Sequence, residues 1–245
     1  MHNRVAIDMV VRQIKHTLED KSQKHQEHLA SLGQRVVSEP LPPGVLLLDQ
    51  TSQIRGMCSI IQDSTTSDLD FNFYFDRLSA ILVEHALEYQ DFASTTVQTP
   101  QGHEYKGLKH AGEVSAVVIL RGGSCMERGL RRVIPECKTG RMLIQSSYRT
   151  GEPELHYLKL PKDIGEHDEV LLLDPQMSSG GAALMAVKVL VDHGVKEDKI
   201  VFVTLFAGSM GVTRLLKVFT GIRLLVIEVG KDGADRWVEK RYFGC

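Results

Sequence analysis

The stretch Val170-Leu-Leu-Leu-Asp174-Pro-Gln-Met-Ser178-Ser179-Gly180-Gly181-Ala182-Ala183 constrains this chain more than any other. An apolar run ends in an acid, passes through a Ser-Ser-Gly-Gly turn and enters an apolar-periodic stretch. That order reads as a strand, a tight loop and a helix N-terminus. Glycines let several backbone N–H groups crowd around one anion, and the first free N–H groups of the helix add positive potential. Ser178 and Ser179 offer hydroxyls to the same anion. Asp174 stands at the carboxyl end of its strand, where open α/β sheets bind ligands, and can hold sugar hydroxyls there. A Gly-Gly pair alone is equally at home in an unliganded turn. The acid before the loop and the hydroxyls within it favour a sugar 5′-phosphate.

Two other nucleotide loops are excluded by spacing. The chain holds no G-x-x-x-x-G-K-[ST], and this loop is not G-x-G-x-x-G. At 245 residues, 42% hydrophobic and 24% charged, the chain has the size of one α/β domain or of a domain with an extension. A formal net charge of −2 argues against a nucleic-acid partner, which calls for a basic face. No apolar run approaches bilayer length, so no membrane is expected. Cys58, Cys125, Cys137 and Cys245 are scattered without metal spacing. They read as free thiols of a reducing, cytoplasmic location, and no protein metal site is expected.

The rest of the chain supports an open sheet. Residues 4–31 show helical spacing through Ile7, Val10, Val11, Ile14 and Leu18, and turn polar from Glu19. A Pro-rich break over 38–45 closes this part, so 1–45 is expected as an N-terminal helical extension and 46–245 as the main domain. Residues 46–48 are expected to open a short strand or loop. A helix is expected over 71–92 and a short strand over 95–98. Strands are then expected over 114–120, 141–146, 170–173, 200–206 and 222–229, with helices over 126–133, 183–193 and 210–219 between them. Residues 155–158 suit a hairpin arm. Short apolar β-branched runs separated by helices imply a mostly parallel sheet covered on both faces.

Two further loops follow strands. Arg121-Gly122-Gly123 ends the run at 114–120; its glycines permit close approach to a ligand, and Arg121 presents a planar cation suited to a diphosphate. Arg149 follows another strand. Each alone fits a surface arginine, but three anion-friendly loops at one sheet edge fit a ligand with a 5′-phosphate at one end and a diphosphate at the other. Phosphoribosyl diphosphate is such a ligand. Arg128, Arg131 and Arg132 read as a solvated face, with added potential near the diphosphate as the alternative. Gly211 reads as part of a helix start rather than a further site.

Several segments together resemble the uracil phosphoribosyltransferase family, and in particular the C-terminal phosphoribosyltransferase-like domain of uridine kinase-like proteins. They are Gln98-Thr-Pro-Gln-Gly102, Ile119-Leu-Arg121-Gly-Gly123, Gly151-Glu-Pro-Glu-Leu-His-Tyr-Leu-Lys-Leu-Pro161, residues 167–183, His193-Gly-Val-Lys-Glu-Asp-Lys-Ile200 and Arg241-Tyr-Phe-Gly244. The resemblance covers about residues 46–245. Residues 3–18 are similar to the stretch that follows the kinase core in the fused enzymes, so a uridine kinase domain is an expected companion in the native chain.

The resemblance implies a type I phosphoribosyltransferase-like fold and pyrimidine salvage, in which uracil and phosphoribosyl diphosphate give UMP and diphosphate. It implies Mg²⁺ bound with phosphoribosyl diphosphate, and a homodimer or homotetramer. By carry-over, Arg121 and Arg149 hold the diphosphate, Asp174 the ribose hydroxyls, and Ser178, Ser179, Gly180, Gly181 and Ala182 the 5′-phosphate. Ser179 stands for the family's Thr and keeps a hydroxyl; Ala182 stands for Ser or Thr and loses one. The family reads uracil with a Pro-Gly-Leu-Gly-Asp-type loop. Residues 229–240 run straight into Arg241-Tyr-Phe-Gly244 and are too short to hold it, with Lys240 where an acid is expected. No uracil-reading residue is carried over. The alternative function is a non-catalytic ligand-binding domain that regulates or oligomerises a uridine kinase.

Overall fold

The computed structural model describes residues 41–147 and 151–230, together with Val238 and Arg241. The expected helix over 4–31 and the expected turn at Arg149 lie outside these residues. Apolar runs alternate with amphipathic stretches along the described chain, and each run becomes a strand. The strands are β1 (Val45–Leu47), β2 (Phe92–Gln98), β3 (Glu104–His110), β4 (Val114–Leu120), β5 (Lys138–Ser146), β6 (Pro153–Lys159), β7 (Glu169–Leu173), β8 (Gln176–Met177), β9 (Ile200–Gly208) and β10 (Arg223–Gly230). The α-helices are α1 (Ser52–Gln62), α2 (Asp68–Leu87), α3 (Glu127–Val133), α4 (Gly181–Asp192) and α5 (Ser209–Val218).

The main sheet runs in the order β1-β10-β9-β7-β4-β5-β6, and β8 adds to β9. Every pairing is parallel except that of β6 with β5. Such a sheet must be covered on both faces, and the strands show it by alternation. Leu171, Leu173, Val201 and Val203 point into one core, shared with Ile54, Met57, Phe71, Phe75, Leu78 and Leu82 of α1 and α2. Val170, Leu172, Ile200 and Phe202 point into the other, shared with Ala183, Ala186, Val187 and Leu190 of α4 and with Val212 and Leu215 of α5. The open α/β sheet read from the sequence is therefore the fold observed.

Capping explains several boundaries. Thr51 accepts from the Ile54 N–H and Ser67 from the Asp70 N–H, which starts α1 and α2 one turn before their apolar periodicity shows. His193 closes α4, its Nδ1 2.7 Å from the Val189 carbonyl. Cys58, Cys125 and Cys137 are free and buried. Burial pushes the thiols of Cys58 and Cys137 up to about 11, so they are packing groups rather than nucleophiles. No helix among the described residues is long and apolar enough to cross a membrane.

Candidate active site

The carboxyl ends of β7, β4 and β5 are neighbours, because these strands are adjacent in the sheet. Each carries one of the anion-friendly loops. After β7, Asp174 is 2% exposed, and its N–H donates to the Val203 carbonyl at 3.2 Å. Pro175 then accepts from the N–H groups of Leu205 and Phe206 at 3.2 and 3.3 Å. These bonds, with the short β8–β9 pairing, fix the base of the loop against β9.

Ser178, Ser179 and Gly180 make the turn into α4. Gly180 has φ 80° and ψ 1°, a left-handed conformation that L side chains resist. It stands at the N-cap with no side-chain capping bond, and α4 runs 12 residues behind it. A helix N-terminus of this kind suits an anion. Ser178 is half-buried and Ser179 exposed, so both hydroxyls lie at the surface of the loop.

Gly211 on α5 is the residue the sequence reading undervalued. It does belong to a helix start, as expected. A Cβ there, however, would lie 2.2 Å from the Ser178 carbonyl and 3.1 Å from the Gly180 nitrogen. The first turn of α5 therefore presses backbone to backbone on the phosphate loop. A glycine three residues into a helix was the only available signal, and by itself it is a weak one.

After β4, Arg121 is exposed and starts a 3₁₀ turn over Gly122–Met126. Ser124 returns to this turn through its N–H and Oγ, which donate to the Arg121 carbonyl at 3.2 and 2.7 Å. Gly123 supplies the link between the two sites. A Cβ there would lie 2.4 Å from the Leu173 carbonyl. The Arg121 loop is thus seated on the end of β7, one residue before Asp174. After β5, the Ser147 N–H donates to the Glu152 carbonyl at 2.7 Å. Pro153 comes within 3.8 Å of the Cβ position of Gly181. Arg149 itself lies outside the described residues.

Arg128, Arg131 and Arg132 serve the scaffold. Arg128 and Arg132 each pair at 3.5 Å with Asp76, which is 5% exposed and whose carboxyl burial pushes above its ordinary range. Arg131 donates to the carbonyls of Pro135 and Cys137 and to Thr139 Oγ1 at 3.0, 2.7 and 2.9 Å. Near the expected base pocket, the buried Val238 donates its N–H to Gln176 Oε1 at 3.3 Å. Arg241 donates to the carbonyls of Asp63 and Thr66 at 2.8 and 3.2 Å and covers the Phe71 ring at 5.1 Å. No group of three or more His, Cys, Asp or Glu suited to a metal ion occurs among the described residues.

An open parallel sheet with a strand–loop–helix phosphate cradle, and a second loop seated on the same strand end, defines a type I phosphoribosyltransferase-like domain. A solved protein from Aquifex aeolicus shares this fold with a TM-score of 0.69 at 24% identity, over 78% of this chain and 90% of that one. A family model described as uracil phosphoribosyltransferase matches residues 47–236. The chain belongs to the uracil phosphoribosyltransferase family. It is 43% identical over 179 residues to a uracil phosphoribosyltransferase of Dictyostelium discoideum, covering 73% of this chain and 81% of that protein. It is 45% identical over 234 residues to uridine-cytidine kinase-like 1 of Mus musculus, covering 95% of this chain but 42% of that protein. The chain thus spans less than half the length of the mouse relative.

Proposed function

We propose that the domain transfers a phosphoribosyl group from phosphoribosyl diphosphate to uracil, giving UMP and diphosphate in pyrimidine salvage. The observation that carries the reading is the seat of Gly123 on the Leu173 carbonyl, which sets the Arg121 loop beside Asp174 and the phosphate loop. In this reading the N–H groups of Gly180, Gly181 and Ala182 and the hydroxyls of Ser178 and Ser179 bind the 5′-phosphate. Asp174 accepts hydrogen bonds from the ribose hydroxyls. Arg121 and Arg149 hold the diphosphate. The bond from C1 of the ribose to the diphosphate oxygen breaks with its electron pair on the diphosphate. The bond from N1 of uracil to C1 forms, and the N1 proton passes to solvent. The protein accelerates this by placing both partners and by stabilising charge on the leaving group. Mg²⁺ fits as part of the metal–diphosphate complex, since among the described residues the site brings one buried carboxylate, Asp174, and no cluster of three acidic, His or Cys ligands.

Incubation of the chain with phosphoribosyl diphosphate, Mg²⁺ and uracil, with UMP followed by chromatography, tests the reading. UMP formation is expected. Binding of the phosphosugar with no UMP at any uracil concentration would instead favour a regulatory domain of a uridine kinase. The 95% coverage of this chain by the mouse kinase-like relative, together with the shortened segment over 229–240, supports that second reading. We further propose a cytoplasmic homo-oligomer. The β2–β3 hairpin supports this, with Tyr105 60% and Leu108 68% exposed. Sedimentation of the purified chain would show a dimer or tetramer, and a monomer at all concentrations would refute the assembly.

A further inference from the structure

We infer that Arg214 is a positioning residue for the phosphate loop, one that fixes a loop peptide from behind and adds positive potential to the cradle at longer range. The inference rests on the phosphosugar reading above. Arg214 lies on α5 three residues after Gly211, so the two share one face of the helix. Gly211 lets that face touch the loop, and from there Arg214 Nη1 donates to the Ser179 carbonyl at 3.1 Å. The Ser179 carbonyl and the Gly180 N–H belong to one planar peptide. Holding the carbonyl therefore sets the direction of an N–H in the anion cradle.

Among the described residues, the Ser179 carbonyl is the hydrogen-bond partner of the Arg214 guanidinium. Arg214 is exposed, and no carboxylate of a described residue pairs with it. The contrast with Arg128, Arg131 and Arg132 is direct, since their charges and donors are consumed by Asp76, carbonyls and Thr139. With no carboxylate partner among the described residues, a guanidinium held behind the loop peptide adds positive potential that favours a dianionic phosphate in the cradle. Because the group is exposed, salt screens that attraction. Lysine would keep the charge but lose the planar fork that grips the carbonyl.

The test is calorimetric titration of the full chain and of Arg214→Ala and Arg214→Lys with phosphoribosyl diphosphate and Mg²⁺, at low and high salt. Arg214→Ala is expected to bind about tenfold more weakly at low salt, equivalent to about 1.4 kcal/mol. The gap narrows at high salt, Arg214→Lys falls between the two, and the melting temperature is unchanged. Affinity of Arg214→Ala within about twofold of the parent, well under that tenfold step, overturns the inference. So does a deficit that salt does not change. If Arg214→Ala loses stability, Arg214→Lys decides: weaker binding than the parent supports the inference and equal binding overturns it. A parent chain that fails to bind the phosphosugar removes the underlying reading, and this outcome is visible before any substitution is made.

Discussion

Gly211 and Gly123 do the same work at the two halves of the site, each admitting a carbonyl where a side chain would stand. At Gly211 an added Cβ would come within 2.2 Å of the Ser178 carbonyl, and at Gly123 within 2.4 Å of the Leu173 carbonyl. Both obstacles are backbone, so the loops themselves must move. Gly211→Ala is therefore expected to weaken phosphoribosyl diphosphate binding by at least about tenfold, or about 1.4 kcal/mol, in titration calorimetry. Gly181→Ala meets nothing closer than 3.8 Å and serves as the mild comparison. Glu169 illustrates a different residue-scale effect, remote from the site. It is 3% exposed, bonded to Arg223 Nη2 at 3.1 Å and to Gln90 Nε2 at 3.2 Å, yet burial raises its carboxyl above the usual range. A raised folded-state pKa in an acid contributes stability that is full below the unfolded value and is lost as pH rises through the folded one. The melting-temperature advantage of the parent over Glu169→Gln should thus shrink or reverse between pH 4.5 and pH 8, the window that begins near the ordinary glutamate value of about 4.3. An advantage that grows with pH would contradict this.

At the scale of elements, the sequence was most legible where one pattern dominated. β4 was expected over 114–120 and is found at Val114–Leu120, because a continuous apolar run bounded by polar residues admits little else. β7 and α4 were legible for the same reason. β3 was not: Glu-Tyr-Lys-Gly-Leu-Lys-His has neither face apolar, and it is a strand because the Pro100-Gln-Gly102 turn folds it onto β2 in register from Gln98↔Glu104 to Phe92↔His110. β8, two residues long, exists through its pairing with β9 and leaves no periodic trace. The arginines near α3 were equally opaque, since their partners are distant in sequence or are carbonyls. Arg131 closes the end of α3 by binding the carbonyls of Pro135 and Cys137. Arg131→Ala should cost about 1–2 kcal/mol of stability, a charged donor lost from the carbonyl of the buried Cys137 and from that of the exposed Pro135, measurable by denaturant unfolding. Binding of phosphoribosyl diphosphate should be unaffected.

At the scale of the whole molecule, function follows from strand order. The strands that lead to Arg121, Arg149 and Asp174 are separated in sequence, and their carboxyl ends are neighbours because β5, β4 and β7 are consecutive in the sheet. The sequence indicates that each loop follows a strand; the sheet order makes those strand ends neighbours. In the proposed reading Arg121 holds the leaving diphosphate, so Arg121→Ala should lower kcat by about 10²–10³-fold, the usual effect of removing one donor that stabilises developing charge. The melting temperature should hold, because Arg121 is exposed. The base end was least legible, because the segment over 229–240 departs from the family's uracil loop. Its described remainder, Val238 on Gln176 and Arg241 on the α1–α2 connection, ties the end of the chain to the phosphate loop on one side and to the first helices on the other. The central claim is that the cradle from Asp174 to Ala182 binds the phosphosugar. Its most direct test is calorimetric titration of the full chain with phosphoribosyl diphosphate and Mg²⁺, with Gly211→Ala alongside. Saturable one-site binding that Gly211→Ala weakens is the predicted result. No binding by the parent chain, or equal binding by both, would contradict it.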